Sequence, residues 1–99
     1  MGLFICLQKE NGSQLDGVAD ERNLLHRLIP QEGSNILSGI DWYEDTIFNG
    51  RQMKQFIPAW KELLALTSSE EEKALLSTIQ RLAERCANGT HLYLKFVGD

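Results

Sequence analysis

The first third of the chain carries the short, dense hydrophobic runs of β-structure. Residues 2–8 are apolar at nearly every position, as in a central strand that is covered on both faces. The dipeptide Asn11-Gly12 follows and is a strong signal for a hairpin turn. Residues 14–18 therefore predict a return strand, although their hydrophobic pattern is weaker.

The next stretch predicts one short helix and one short strand. Four aliphatic residues share one helical face within residues 20–29, and Pro30 cannot continue a helix. Residues 35–40 alternate in a way that predicts a second strand, with Ile36 and Ile40 on the same side.

Two longer helices are predicted in the second half. Asn49 followed by Gln52 is a variant capping box, so the first helix should begin at Gly50. Pro58 lies inside its pattern, which predicts a kink or a brief break near Ile57. Its apolar positions recur at helical spacing: Met53, Phe56, Ile57, Trp60, Leu63 and Leu64.

The second of these helices has clear signals at both ends. Residues 68–71 read Ser-Ser-Glu-Glu, a capping box with acids where the helix dipole favours them. The dipeptide Asn88-Gly89 ends the helix. Its apolar stripe predicts a buried face: Leu75, Leu76, Ile79, Leu82, Ala83 and Cys86.

The chain closes on residues 91–97, a strand with one core face and one mixed face. Strands at both termini with helices between them predict an α+β fold. In it, a small β-sheet that includes both terminal strands is covered on one face by an antiparallel helix hairpin plus a short helix.

Length and composition predict a single domain over residues 1–99 with an ordinary hydrophobic core. The longest apolar run is too short to span a bilayer and no basic segment precedes it, so we expect a cytoplasmic protein without a secretory signal. Cys6 and Cys86 both lie in apolar surroundings, which favours free buried thiols over a disulfide or a reactive nucleophile.

The net charge of −4 is unevenly distributed. Residues 1–50 carry three bases and eight acids, whereas residues 51–99 carry seven bases and six acids. No Lys or Arg occurs between Arg27 and Arg51. This distribution disfavours nucleic acid and anionic membranes as partners and favours a basic protein, although a modest acidic excess is also common in proteins without such a partner.

Residues 41–49 are the most informative stretch, because they combine three acids with three aromatic residues ahead of a helix. Acids avoid the interior unless they are paired, and exposed aromatics are typical of binding surfaces. We therefore take the partner-binding candidates to be Asp41, Trp42, Tyr43, Glu44 and Asp45, with possible help from Glu32. Alternatively, Asp45 and Thr46 are turn or capping residues, and the aromatic rings belong to the core.

The sequence favours a binding protein over an enzyme. His26 and His91 lack ligands at metal spacing, so neither predicts a metal site. The acids of residues 41–45 lack the regular pattern and glycine of a calcium loop. We predict no catalytic residues, no metal and no cofactor.

Residues 45–53 read Asp-Thr-Ile-Phe-Asn-x-x-Gln-Met, and residues 91–99 read His-Leu-Tyr-Leu-Lys-Phe-Val-Gly-Asp. With the helix pair between them, they resemble a group of small, stand-alone bacterial proteins of mostly unassigned role, over roughly residues 36–99. In size, acidity and lack of a catalytic signature the chain is also similar to immunity proteins of bacterial toxin systems, including contact-dependent inhibition and type VI secretion. This second similarity is in general properties and not in a sequence motif, so no toxin-contacting residue can be assigned from it.

The resemblance implies a protein that neutralises a cognate toxin domain, for which a basic nuclease is one candidate. The alternative is a general protein-interaction or homo-oligomerisation module, in which the helix hairpin or a sheet edge meets a second copy to form a homodimer.

Overall fold

The computed structural model describes residues 2–30, 33 and 35–98. Four strands, two long helices and a one-turn helix follow one another along the chain: β1 (Phe4–Lys9), β2 (Gln14–Ala19), α1 (Leu25–Leu28), β3 (Thr46–Asn49), α2 (Met53–Leu66), α3 (Glu70–Asn88) and β4 (Leu92–Val97). A 3-10 turn over Ile36–Gly39 lies between α1 and β3.

The four strands form one antiparallel sheet in the order β2-β1-β4-β3. The strands nearest the two termini, β1 and β4, are therefore neighbours in its centre. This confirms the predicted α+β class and the prediction that the N-terminal strand is central. The predicted hairpin is also confirmed, because Lys9 and Gly12 close the turn between β1 and β2 by backbone hydrogen bonds.

The helices cover one face of the sheet. Residues 67–69 connect α2 to α3, and the buried indole N–H of Trp60 donates to the Leu76 carbonyl oxygen at 2.8 Å between the two helices. Aromatic rings from β3, α2 and β4 meet beneath them, with the rings of Phe56 and Trp60 stacked at 5.2 Å between centroids. The fully buried centre of the described residues comprises Ile5, Leu7, Leu25, Leu37, Met53, Phe56, Trp60, Leu76, Ile79, Ala83, Cys86, Leu94 and Phe96.

The predicted cap of Asn49 and Gln52 is confirmed in its hydrogen bonds. The Asn49 and Gln52 side chains each accept from the other's backbone N–H, at 2.8 and 2.9 Å. The regular α-helix nevertheless begins at Met53 and not at Gly50, because residues 50–55 form the tighter i→i+3 bonds of a 3-10 start. In α3 the cap lies one residue later than the predicted box of residues 68–71. The Ser69 hydroxyl accepts from the Glu72 amide, and the Glu72 carboxylate accepts from Arg27.

The predicted break near Ile57 is wrong, because α2 is continuous from Met53 to Leu66 with Pro58 inside it. Pro58 is on the exposed side of α2, whereas Phe56 and Trp60, two residues before and after it, are buried. Packing of Phe56 and Trp60 on either side of the proline holds the helix together.

The helix predicted over residues 20–29 is only one turn long. Asn23 adopts a left-handed backbone conformation, with φ of 54°, which no helix can accommodate. The Asp20 carboxylate is buried and accepts hydrogen bonds from the amides of Leu24 and Leu25, at 2.8 and 2.9 Å. Asp20 therefore caps the single turn of α1 from outside it.

The strand predicted over residues 35–40 is wrong. The Asn35 side chain accepts from the Leu37 amide at 2.8 Å, and this local bond stabilises a 3-10 turn in place of an extended chain. Leu37 and Ile40 are buried, so this segment contributes to the core without joining the sheet.

Ion pairs attach α1 to the beginning of α3. Arg22 bonds Glu71 at 2.6 Å, and the Arg27 guanidinium donates to the buried Glu72 carboxylate. Within the described ranges, the helices are too short or too polar for any of them to traverse a bilayer.

Candidate partner-binding surface

Residues 41–46 form a tight loop that leads into β3. The Asp41 carboxylate accepts from the amides of Tyr43 and Glu44, at 2.8 and 3.2 Å, which closes an Asx turn. The Asp41 amide donates to the Thr46 hydroxyl at 2.9 Å. These bonds hold the loop backbone in a defined conformation in the absence of a partner.

The loop is also fastened to the end of β4. The Lys95 ammonium lies 3.3 Å from the Asp45 carboxylate, which also accepts from the Gly98 amide at 3.3 Å. A Cβ atom at Gly98 would come within 2.4 Å of the Glu44 backbone, so only glycine permits this close approach. Asp45 therefore has a role inside the molecule, holding the loop to β4.

The two aromatic residues of the loop are placed differently. Tyr43 is 80% exposed. Trp42 is half-buried and packs against the core, with its ring centroid 5.0 Å from that of His26. Trp42 thus supports the loop from beneath, whereas Tyr43 presents a large ring to solvent.

The Asp41 and Glu44 carboxylates flank Tyr43 and are exposed. Within the described residues, neither forms an ion pair with Lys, Arg or His. Their negative charge is therefore available to a cationic partner. Of the predicted site residues, the structure brings Asp41, Trp42, Tyr43, Glu44 and Asp45 together, while Glu32 lies outside the described residues.

Strand β3 (Thr46–Asn49) lies within residues 41–49 and was not among the predicted elements. Thr46 to Asn49 pair with β4 from Phe96 to Tyr93. The two sequence motifs, residues 45–53 and 91–99, therefore meet in the sheet. Three consecutive β-formers, Thr46, Ile47 and Phe48, are the signal that could have identified the strand. Phe48 is core, whereas Ile47 is half exposed.

The described residues contain no group of three or more His, Cys, Asp or Glu residues that could hold a metal ion. Cys6 and Cys86 are free and buried on different parts of the sheet and helix layers. Burial raises the pKa of the Cys6 thiol and of the Cys86 thiol above their ordinary value of 9.0. Both are therefore protonated at neutral pH, which is unsuited to nucleophilic chemistry.

A shallow cleft of ≈ 360 Å³ lies at the opposite end of the sheet, between the β3–α2 turn and the α3–β4 loop. Arg51, Thr90, His91 and Tyr93 are among its lining residues. His91 lies 3.8 Å from Glu10 and both side chains are mostly exposed, so the cleft lacks the dry, convergent polar groups of an active site.

Comparison with family models, with curated protein sequences and with solved structures finds no match to this chain.

Proposed function

We propose that this chain is an immunity-type protein that binds and neutralises a cognate bacterial toxin domain with a basic surface, such as a nuclease. The observation that carries the proposal is the loop of residues 41–45. It presents Tyr43 to solvent between two exposed carboxylates that make no ion pair with a described residue. No catalytic role is assigned to any residue.

The chemistry of this loop suits recognition of Lys or Arg side chains. A guanidinium or ammonium group can lie between Asp41 and Glu44 while its aliphatic part packs on the Tyr43 ring. Tyrosine is common among residues that dominate binding energy, because it brings a large contact area with few rotatable bonds. Negative charge also speeds encounter with a basic protein.

The loop is suited to tight binding because its backbone is already ordered. The Asx turn at Asp41 and the contacts of Asp45 with Lys95 and Gly98 keep the loop in one conformation. Ordering a flexible loop on binding reduces affinity, so a preformed loop retains more of its contact energy.

The first experiment tests the toxin relationship itself. We expect the protein encoded immediately upstream of this chain to slow growth when it is expressed in a laboratory bacterium. Co-expression of this chain should restore growth, and the two proteins should co-purify. An upstream product without effect on growth, or one whose effect this chain leaves unchanged, would contradict the immunity function.

The second experiment tests the surface. In calorimetric titration with the co-purified toxin, Asp41→Lys combined with Glu44→Lys should weaken binding at least about a hundredfold, since both favourable contacts become repulsive. Tyr43→Ala should weaken it about tenfold or more.

The control changes the net charge equally but elsewhere. Glu21 and Glu62 are exposed acids outside the loop, and Glu21→Lys with Glu62→Lys also changes the net charge by +4. We expect this variant to slow association slightly and to leave dissociation unchanged. If the control weakens binding as much as the loop variant does, the contact surface lies elsewhere.

The second candidate function is a homo-oligomerisation module. The observation that favours it is the exposure of two large aliphatic side chains, Ile47 at 50% on strand β3 and Leu66 at 81% near the end of α2.

A further inference from the structure

The dipeptide Asn-Gly occurs three times in this chain, at residues 11–12, 49–50 and 88–89. Asparagine followed by glycine is prone to spontaneous loss of the side-chain amide, because glycine has no Cβ atom to keep its nitrogen away from the preceding side chain. All three pairs border two neighbouring clefts that share His91. A difference in their reactivity must therefore come from local structure and not from the part of the molecule in which they lie.

The first pair, Asn11-Gly12, lies in the exposed turn between β1 and β2. The Asn11 side-chain oxygen accepts a hydrogen bond from the Ser13 amide at 2.9 Å, and the ring that this bond closes includes the Gly12 nitrogen. Such a bond polarises the side-chain amide, which makes its carbon easier to attack. Gly12 has a φ of 90°, and no atom of the described residues beyond its chain neighbours lies within 4 Å of the position that a Cβ atom would take. The turn therefore has room to change its conformation.

One hydrogen bond opposes the reaction at this turn. The Gly12 amide donates to the Lys9 carbonyl oxygen at 2.9 Å, and this bond must open before the nitrogen can attack. An exposed turn opens at small cost in free energy, because few contacts are lost with it. The bond therefore slows the reaction less than a helix or a paired strand would.

The second pair, Asn49-Gly50, is held by both its main chain and its side chain. The Asn49 side-chain oxygen accepts from the Gln52 amide at 2.9 Å, and the Asn49 amide donates to the Gln52 side chain at 2.8 Å. Asn49 also pairs with Tyr93 in the sheet. Before the Gly50 nitrogen can reach the side-chain carbon, the cap of α2 and the end of β3 must both open.

The third pair, Asn88-Gly89, is held by a helix. Asn88 is the last residue of α3, and its side-chain amide donates to the Glu84 carbonyl oxygen at 2.9 Å. Side chains of a helix point back toward its N-terminus, which directs Asn88 away from the Gly89 nitrogen. A Cβ atom at Gly89 would come within 2.2 Å of the Leu92 side chain, so this glycine is also tightly packed.

We infer that Asn11 is the site at which this chain deamidates, while the fold protects Asn49 and Asn88. The Gly12 amide loses its proton to hydroxide, and its nitrogen attacks the side-chain carbonyl carbon of Asn11. A nitrogen–carbon bond forms, the bond from that carbon to the side-chain nitrogen breaks, and the side-chain nitrogen takes up a proton and leaves as ammonia. Water then opens the resulting succinimide ring at either of its carbonyl groups, which gives aspartate or isoaspartate at position 11.

Deamidation would change both the charge and the main chain of the turn. The product adds a carboxylate beside Glu10, in a chain whose net charge is already −4. Isoaspartate also inserts a methylene group into the main chain, within the turn in which the Lys9 amide donates to the Ser13 carbonyl oxygen at 2.8 Å. The insertion disturbs the pairing of β1 with β2. Since ammonia is lost, the modified fraction grows with the age of the molecule.

The test is peptide mapping by mass spectrometry after the full chain has been incubated at mildly alkaline pH, once in buffer and once in enough urea to unfold it. Each Asn-Gly pair is followed by the mass gained when an amide becomes a carboxyl group. In the folded chain, Asn11 should react at least about tenfold faster than Asn49 and Asn88. In urea, the three rates should agree within about threefold, because the same dipeptide has then lost its folded surroundings.

A matched pair of variants identifies the site by charge. Asn11→Gln keeps an amide at the turn, but its longer side chain must close a larger ring, which is slower. In this variant, the acidic species that accumulates in the parent chain on ion-exchange chromatography should be lost. Asn88→Gln makes the same change at the end of α3 and should leave the accumulation of that species unchanged. Circular dichroism checks that both variants are folded, and the peptide map of the parent chain needs neither of them.

Equal rates at Asn11 and at either of the other two sites in the folded chain would overturn the inference. So would rates in urea that differ as much as those in buffer, because the selectivity would then come from sequence and not from the fold. An acidic species that accumulates equally fast in the Asn11→Gln chain would also overturn it. The turn and the loop of residues 41–45 lie at opposite ends of the sheet, so none of these results bears on the toxin experiments.

Discussion

Asp20 is an acid that the fold buries for a structural reason. Its two carboxylate oxygens each accept one amide hydrogen bond at the beginning of α1, and the side chain is otherwise withdrawn from solvent. A carboxylate that receives two backbone N–H groups compensates for its lost hydration. The same two amides would be left without a partner if the carboxylate were absent.

We therefore predict that Asp20→Ala lowers the free energy of unfolding by about 2–3 kcal/mol, since it removes a cap and leaves the Leu24 and Leu25 amides unsatisfied. Urea denaturation followed by circular dichroism measures this loss.

The matched control is Asp16→Ala. Asp16 is also an aspartate that accepts a backbone amide, from Gly17, and it pairs with Arg85 at 2.9 Å, but both partners of the ion pair are half exposed. Its loss should cost less than about 1 kcal/mol. Equal losses for the two variants would contradict the role assigned to Asp20.

The buried thiols make stability depend on pH in the alkaline range. The raised pKa of Cys6 and of Cys86 means that the folded state favours the neutral thiol. This contribution is complete below the unfolded value of 9.0 and is lost as pH rises through the higher folded pKa. We predict that the free energy of unfolding falls as pH is raised above 9.0.

Lysine and tyrosine titrate in the same range, so the comparison must isolate the thiols. The double variant Cys6→Ala with Cys86→Ala keeps the other groups and removes both thiols. Its free energy of unfolding, measured in urea at each pH, should decline less steeply than that of the parent chain. Parallel pH profiles would show that the thiols contribute nothing to the decline.

At the scale of elements, α2 carries a proline that its packing tolerates. Pro58 cannot donate a hydrogen bond to the Lys54 carbonyl, and its ring crowds the preceding turn. The helix remains continuous because Phe56 and Trp60 are fully buried on its inner face. The proline is therefore a local cost that the hydrophobic core offsets.

We predict that Pro58→Ala raises the free energy of unfolding by about 1–2 kcal/mol, because the restored hydrogen bond outweighs the greater freedom of the unfolded chain. Thermal and urea unfolding both measure the change. Lys61→Ala, at another exposed position of α2, should change stability by less than about 0.5 kcal/mol. A destabilised Pro58→Ala variant would show that the proline fits the helix without strain.

The elements that the sequence predicted well are those with several agreeing signals. The helix α3 combines a Ser69 cap, acids in its first turn and a regular apolar stripe, and the structure has all three. Strand β4 shows alternating burial. In both cases hydrophobic periodicity and end signals predict the same element, and the tertiary packing agrees with that prediction.

The elements that were missed depend on single side chains. Residues 35–40 alternate like a strand, but one hydrogen bond from the Asn35 side chain selects a 3-10 turn. Asn23 adopts a left-handed conformation that restricts the predicted helix to one turn. Whether such a polar residue bonds its own backbone or solvent depends on its surroundings, which the sequence pattern does not contain.

The surroundings of the candidate residues could be predicted from the sequence only in part. Composition identified the segment around Tyr43, but it could not separate the exposed Tyr43 from the half-buried Trp42 next to it. Nor could it show that Asp45 is held by Lys95, fifty positions later in the chain. These distinctions arise only when β3 pairs with β4.

At the scale of the whole molecule, one ion pair links the acidic loop to the sheet. Lys95 belongs to the central strand β4 and Asp45 to the loop, where the Asp45 carboxylate also accepts from the Gly98 amide. The position of the loop therefore depends on β4 and on the residue that follows it.

The central position of β4 has a consequence for how the protein is made. The sheet order places β4 between β1 and β3, so the sheet cannot close until residues 92–97 have been synthesised. Until then, the apolar edge of β1 and the stripes of both long helices have no sheet to close on. Closure of the sheet is therefore expected to wait for β4, which leaves the earlier strands and helices exposed to chaperones while they are being synthesised.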